Sequence, residues 1–248
     1  MEQKLSRVPV MILLLIAAVA AYFLRLDQLQ AMSVFIQTHR LTWVCVILVV
    51  VFAVYAWFLR PRKKSNALSG RGLLPLVCTM AAAAGMVLGC LAMVRDLEND
   101  YDLLVAAGGA VTAICWAVVG LERFQGRKLP APLFMIPALF YAIRLILDFR
   151  NWSRDPMILD YCFDLLALIC VMCATFHYSG FCFEEGKRRL SVFFSCCGIL
   201  FGAVAIAGGR MRELAMTGGA VLWLAANLWV LLRPSRKRQS SREEKPAE

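Results

Sequence analysis

Charge is scarce in this chain. Asp, Glu, Lys and Arg make up 18% of its 248 residues, against 60% hydrophobic residues and a mean hydropathy of +0.67. A soluble globular domain needs a largely polar surface, so this composition excludes one and indicates a single integral membrane bundle. Histidine is scarcer still, with only His39, placed in an outer loop, and His177. No HExxH, GxSxG, GxGxxG or Walker loop occurs, so no motif names a reaction, and no cofactor is expected. The period-2 alternation of a membrane barrel strand is also missing, which leaves helices as the only way to satisfy the backbone in hydrocarbon.

Two features that invite other readings do not carry them. The net charge of +10 is partitioned between the two sides of the membrane, and no basic domain interleaved with aromatics is present, so nucleic acid is not an expected partner. The ten cysteines (Cys45, Cys78, Cys90, Cys115, Cys162, Cys170, Cys173, Cys182, Cys196 and Cys197) all lie inside or at the edge of apolar runs. They read as small hydrophobes rather than as a disulfide framework.

What the chain does have is eight apolar runs near the length a bilayer core demands, at 8–25, 41–60, 73–94, 103–121, 131–149, 158–180, 190–208 and 213–232. Every lysine (Lys4, Lys63, Lys64, Lys128, Lys187, Lys237 and Lys245) falls in every second gap or in a tail, and those segments also hold most of the 27 Lys/Arg. Cytoplasmic segments carry this excess, so an eight-helix protein of the plasma membrane with both termini cytoplasmic is expected. Lys4 and Arg7 ahead of the first run, and Ala18-Val19-Ala20 within it, imitate a signal peptide. The apolar continuation through Tyr22, Phe23 and Leu24 favours an uncleaved anchor, and cleavage would leave the later threading unchanged.

The gaps are short, so the bundle at 1–232 must carry the function. The tail at 233–248 is polar, basic and poor in apolar residues, which reads as a disordered cytoplasmic segment. It suits anionic lipid headgroups, or serves only as an orientation signal. Three patterns recur in order in the two halves: Tyr22-x-x-Arg25-Leu26 with Tyr141-x-x-Arg144-Leu145, Gly85-x-x-x-Gly89 with Gly198-x-x-x-Gly202, and Gly108-Gly109-Ala110-Val111 with Gly218-Gly219-Ala220-Val221. They fit two parallel four-helix repeats, 1–121 and 122–232, or recurrent small-residue packing motifs. The glycines mark spans three and seven as central helices, or as faces for a second copy of the chain or another membrane protein.

The candidate site lies in spans five and six. Pro137, Tyr141, Arg144 and Asp148 share one face of span five, and Asp160 and Asp164 are one turn apart on span six at the same outer-leaflet depth. Ionisable groups at that depth are costly unless paired or wetted. Arg144 can meet Asp148 within its helix and Asp164 across the hairpin, which gives either an interhelical staple or an outward-facing polar cavity. Several carboxylates crowding one arginine is the condition that a proton-coupled site exploits. Cys170, Cys173 and His177 form a second stripe on another face of span six, with Cys196 and Cys197 on span seven; soft metal or redox chemistry is the sharp reading, packing the plain one. The tryptophans read mostly as interfacial anchors. Together these features suggest a small-solute or ion permease with a substrate site at Arg144, Asp148, Asp160, Asp164 and Tyr141. The alternatives are a non-catalytic membrane sensor, scaffold or assembly factor, and an intramembrane enzyme acting on lipids or thiols.

Overall fold

The computed structural model describes residues 7–30, 34–59, 72–95, 97, 101–152, 161–209 and 211–232. Among these the chain is all-helical, with eight elements: α1 (Arg7–Gln30), α2 (Val34–Phe58), α3 (Leu73–Arg95), α4 (Asp102–Gln125), α5 (Pro132–Trp152), α6 (Cys162–Cys182), α7 (Arg188–Gly208) and α8 (Met211–Leu231). Each is long and apolar enough to cross a membrane, so the chain is a multi-pass membrane protein. Of the candidate site residues, Asp160 lies outside the described residues, as do the tail at 233–248 and five of the lysines: Lys4, Lys63, Lys64, Lys237 and Lys245.

The expected loop at 26–40 shrinks to a few residues. Leu26 and Leu29 prolong the apolar pattern, and Arg25 Nη1 donates to Gln28 Oε1 at 3.0 Å one turn on, so α1 runs to Gln30. His39 accordingly belongs to α2 rather than to a loop.

Helices α3 to α8 form a closed ring in chain order, with α8 returning to pack on α3, while α1 and α2 lean on the outside of α7. Short turns make successive helices antiparallel, so Lys128 and Lys187 lie at one end of the bundle and Asp102, Asp148, Asp164 and Glu213 at the other. The ring closes where α3 and α8 touch backbone to backbone. A methyl group on Gly219 would lie 2.8 Å from Ala82 O and 3.1 Å from Met86 N, and one on Gly85 would lie 3.3 Å from Ala215 O. Only glycine allows that approach, which in lipid replaces the missing hydrophobic drive with van der Waals contact.

Of the two helices expected to be central, α7 is: α1, α2, α6 and α8 all pack on it. Helix α3 is not, since Leu74, Val77, Leu88 and Leu91 turn outward as a lipid-facing stripe, and α8 takes the second interior position. The polyalanine run of α3 provides a smooth contact surface on one face only. The exterior carries a continuous apolar coat, including Leu15 and Ile16 of α1 and Ile47, Val50 and Val54 of α2.

Large aromatics from facing helices fill the ring. Trp116 of α4 and Trp223 of α8 are fully buried and stack at 5.0 Å with an interplanar angle of 10°. Tyr141 stacks on Trp116 at 6.5 Å, and Phe134 bridges Trp223 to Tyr178 at 6.1 and 6.2 Å. These two tryptophans are therefore core residues, contrary to the interfacial expectation, whereas Trp43 and Trp57 are exposed. Trp223 faces inward because it shares its stripe with Met216, Ala220 and Asn227, all buried.

Candidate functional site: a buried charge cluster at one end of an aromatic column

At the lysine-bearing end, arginines close helix ends. Arg188 Nε donates to the Leu231 carbonyl at 3.0 Å and Arg189 Nε to the Leu59 carbonyl at 2.8 Å, satisfying carbonyls that α8 and α2 leave open. Arg123 Nη2 donates to Asn227 Oδ1 at 2.7 Å, and Asn227 Nδ2 donates in turn to the Trp223 carbonyl at 2.8 Å. Tyr178 and Ser195 share a hydroxyl hydrogen bond of 2.6 Å, and Ser195 also donates to the Ser191 carbonyl. These hydrogen bonds tie side chains to neighbouring helices and helix ends, which reads as architecture.

The opposite end is different. Arg144 is nearly buried at 6% exposure, and its Nε lies 3.3 Å from Asp148 Oδ2, one turn along α5. Its Nη1 lies 4.0 Å from Met216 Sδ of α8. The face that carries Tyr141, Arg144 and Asp148 is thus polar, and α5 runs through Pro137 without interruption. Asp164 sits in the first turn of α6, where the helix dipole favours a carboxylate. It does not form an ion pair with Arg144; its electrostatic neighbours are Glu213 of α8, Arg25 of α1 and Arg144. Arg25 is buried at the end of α1, with its guanidinium 5.8 Å from the centre of the Phe163 ring.

Between α5, α6, α7 and α8 lies a cavity of about 20 Å³. Tyr141, Arg144, Asp164, Gly202, Glu213 and Thr217 are on its wall. A void of that size holds a water molecule or a small ion. The Tyr141 side chain is 1% exposed, and its hydroxyl has no hydrogen-bond partner. The indole N–H groups of Trp116 and Trp223 and the Thr112 hydroxyl are likewise buried without partners. Unpartnered polar atoms are rare in a folded interior, and those of Tyr141, Trp116 and Trp223 belong to rings stacked in one column.

The expected site residues therefore divide. Tyr141, Arg144, Asp148 and Asp164 come together at one end of α5 and α6. Trp152 stacked on Tyr161 at 4.7 Å and 12° clasps the α5–α6 hairpin. Three contributors went unnoticed in the sequence. Glu213 looked like the edge of a span, Arg25 like the end of another, and Asp102 like loop polarity, yet Asp102 is 1% exposed and acts on Asp148. The recurrence of Tyr-x-x-Arg-Leu was the available signal for Arg25, since both arginines reach the same cluster.

The thiol stripe disperses. Cys170 packs on α7 against Gly198, Cys173 is half-buried, and His177 stacks on Phe194 at 5.6 Å and 17°. Among the described residues no three His, Cys, Asp or Glu side chains gather as a metal site. No protein-family model, curated protein or solved structure matches this chain.

Proposed function

We propose that this multi-pass membrane protein is a permease for a small solute or ion, with its binding site in the cavity beside Arg144. The observation that supports this is the convergence of Arg144, Asp164 and Glu213, from three helices, on one void. A purely structural role would need an ion pair that joins helices. The Arg144–Asp148 pair lies within α5 and joins none, and Asp164 and Glu213, both half-buried, have no ion pair with another described residue. In this reading the carboxylate-bearing end faces outward from the plasma membrane. The lysine-bearing end and both termini are cytoplasmic, and residues 233–248 lie against anionic headgroups.

Flux through purified protein in liposomes tests the proposal, read as transient current after jumps in salt, pH or solute on one side. Current above that of empty liposomes, lost in Arg144→Ala and Asp164→Asn at equal reconstitution, is the expected result. Equal currents in wild type, variants and empty liposomes would refute it. A non-catalytic sensor or scaffold is favoured by one observation: the Trp116–Trp223 stack is fully buried and fills the interior between α4 and α8. Such a protein would give no current and would copurify with a stoichiometric partner.

A further inference from the structure

We infer that the flank of α2 at the lysine-bearing end holds an anionic phospholipid, with its phosphate on Arg189 of α7 and its acyl chains along α2. The site lies at the opposite end of the bundle from the cavity and does not depend on the permease reading.

The guanidinium comes first. Arg189 Nε donates to the Leu59 carbonyl at 2.8 Å, and the guanidinium carbon lies 5.8 Å from the centre of the Trp57 ring. These two contacts orient an exposed side chain that would otherwise sample many rotamers. Arginine has five N–H donors, and among the described residues the four on Nη1 and Nη2 have no acceptor. No carboxylate neutralises the group either. Glu184 and Glu185, the closest acidic residues in sequence, form no ion pair with it. Arg188 beside it turns inward to the Leu231 carbonyl. An oriented fork without a counter-charge matches two oxygens of a phosphate.

The second observation is depth. Trp57 and Phe58 are 73% and 80% exposed, the highest values among the large hydrophobic side chains of the described residues, and they stand where α2 ends beside Arg189. A tryptophan so placed marks the level of the headgroups, which puts the guanidinium against it at phosphate depth. The third is the surface below. Three, seven and ten residues before Trp57, Val54, Val50 and Ile47 are exposed on the same face of α2, the least buried of the eight helices. A positive fork at headgroup depth with an apolar stripe leading from it into hydrocarbon has the profile of a phospholipid; a free phosphate would leave the stripe unused. Lys128 and Lys187 at the same end favour a headgroup of net negative charge over a zwitterionic one, whose ammonium they repel.

The test uses the full chain, purified and delipidated, then titrated with phosphatidylglycerol or phosphatidylcholine and read by native mass spectrometry. Phosphatidylglycerol should be retained in preference to phosphatidylcholine, and Arg189→Gln should weaken its first bound molecule about fivefold, the effect of one basic contact at a membrane surface. Arg127→Gln, which alters an exposed arginine at the same end that is paired with Glu122 at 3.5 Å, should leave binding unchanged. Position is read separately in liposomes. Brominated phosphatidylglycerol should quench more tryptophan emission than brominated phosphatidylcholine at equal mole fraction, and the excess should disappear in Trp57→Phe; this arm decides the matter if Arg189→Gln does not fold. Equal retention of the two lipids, the same loss in Arg127→Gln as in Arg189→Gln, a quenching excess that survives in Trp57→Phe, or a preference lost only on deletion of residues 233–248 overturns the inference.

Discussion

Trp116 of α4 and Trp223 of α8 stack ring on ring across the middle of the bundle, 5.0 Å apart and 10° from parallel, although their helices are not neighbours in the ring. The pair joins two helices that the ring places on either side of α3. Neither indole N–H has a partner. Trp223→Ala should therefore cost about 3–5 kcal/mol through loss of buried ring and the cavity left behind. Trp116→Phe keeps an aromatic face and deletes an unsatisfied donor, so it should stay within about 1.5 kcal/mol of wild type. Thermal unfolding in one detergent, followed by tryptophan-independent light scattering, separates the two; equal losses would show that the stack is not what holds the centre.

The Arg144–Asp148 pair makes a prediction about order of removal. Arg144→Ala leaves a carboxylate in a weakly polar site and should destabilise by about 3–5 kcal/mol, whereas Arg144→Met with Asp148→Leu removes both charges and should recover much of that loss. A double-mutant cycle on thermal stability measures the coupling. Strict additivity would mean that the two side chains are solvated separately.

At the α3–α8 crossing, Gly219→Ala forces a methyl group against the Ala82 carbonyl at 2.8 Å, where no flexible side chain can yield. A loss of about 1–3 kcal/mol is expected from the backbone shift. Gly218→Ala one residue away, where nothing lies within 4 Å, should be close to neutral and serves as the control. The measurement is the same unfolding assay, and the difference between the neighbours is the readout.

Sidedness can be read from thiols. Cys162 is exposed at the carboxylate-bearing end, and Cys170, Cys196 and Cys197 are buried. A membrane-impermeant maleimide should label Cys162 from one side of sealed vesicles, and Lys128→Cys and Lys187→Cys from the other, while the buried thiols react only after denaturation. Labelling of Lys128→Cys and Lys187→Cys from opposite sides would break the alternating threading. Rapid labelling of Cys170 in folded protein would revive a thiol-based enzyme.

Legibility followed physics unevenly across the site. The face of α5 was readable because Tyr141, Arg144 and Asp148 repeat at helical spacing inside an apolar run, and a charge there has few explanations. Glu213 and Asp102 were not, because a carboxylate at the end of an apolar run has the same local pattern whether it meets headgroups or folds inward. Tryptophan posed the same ambiguity: Trp57 and Trp223 sit in similar apolar context, yet one is exposed and the other fully buried.

Taken alone, the order of residues determined the medium, the number of crossings and their alternation, because hydrocarbon leaves a backbone no alternative to helices of a set length and charge resists crossing. It also determined which helix faces carry polar groups. Only tertiary packing decided that α8 rather than α3 enters the interior, that Arg144 turns to Asp148 instead of Asp164, and that Asp164 and Glu213 line one small void. Those outcomes depend on which faces of distant helices come together, and in lipid that choice rests on shape at contacts such as Gly85 against Gly219, which no local periodicity encodes.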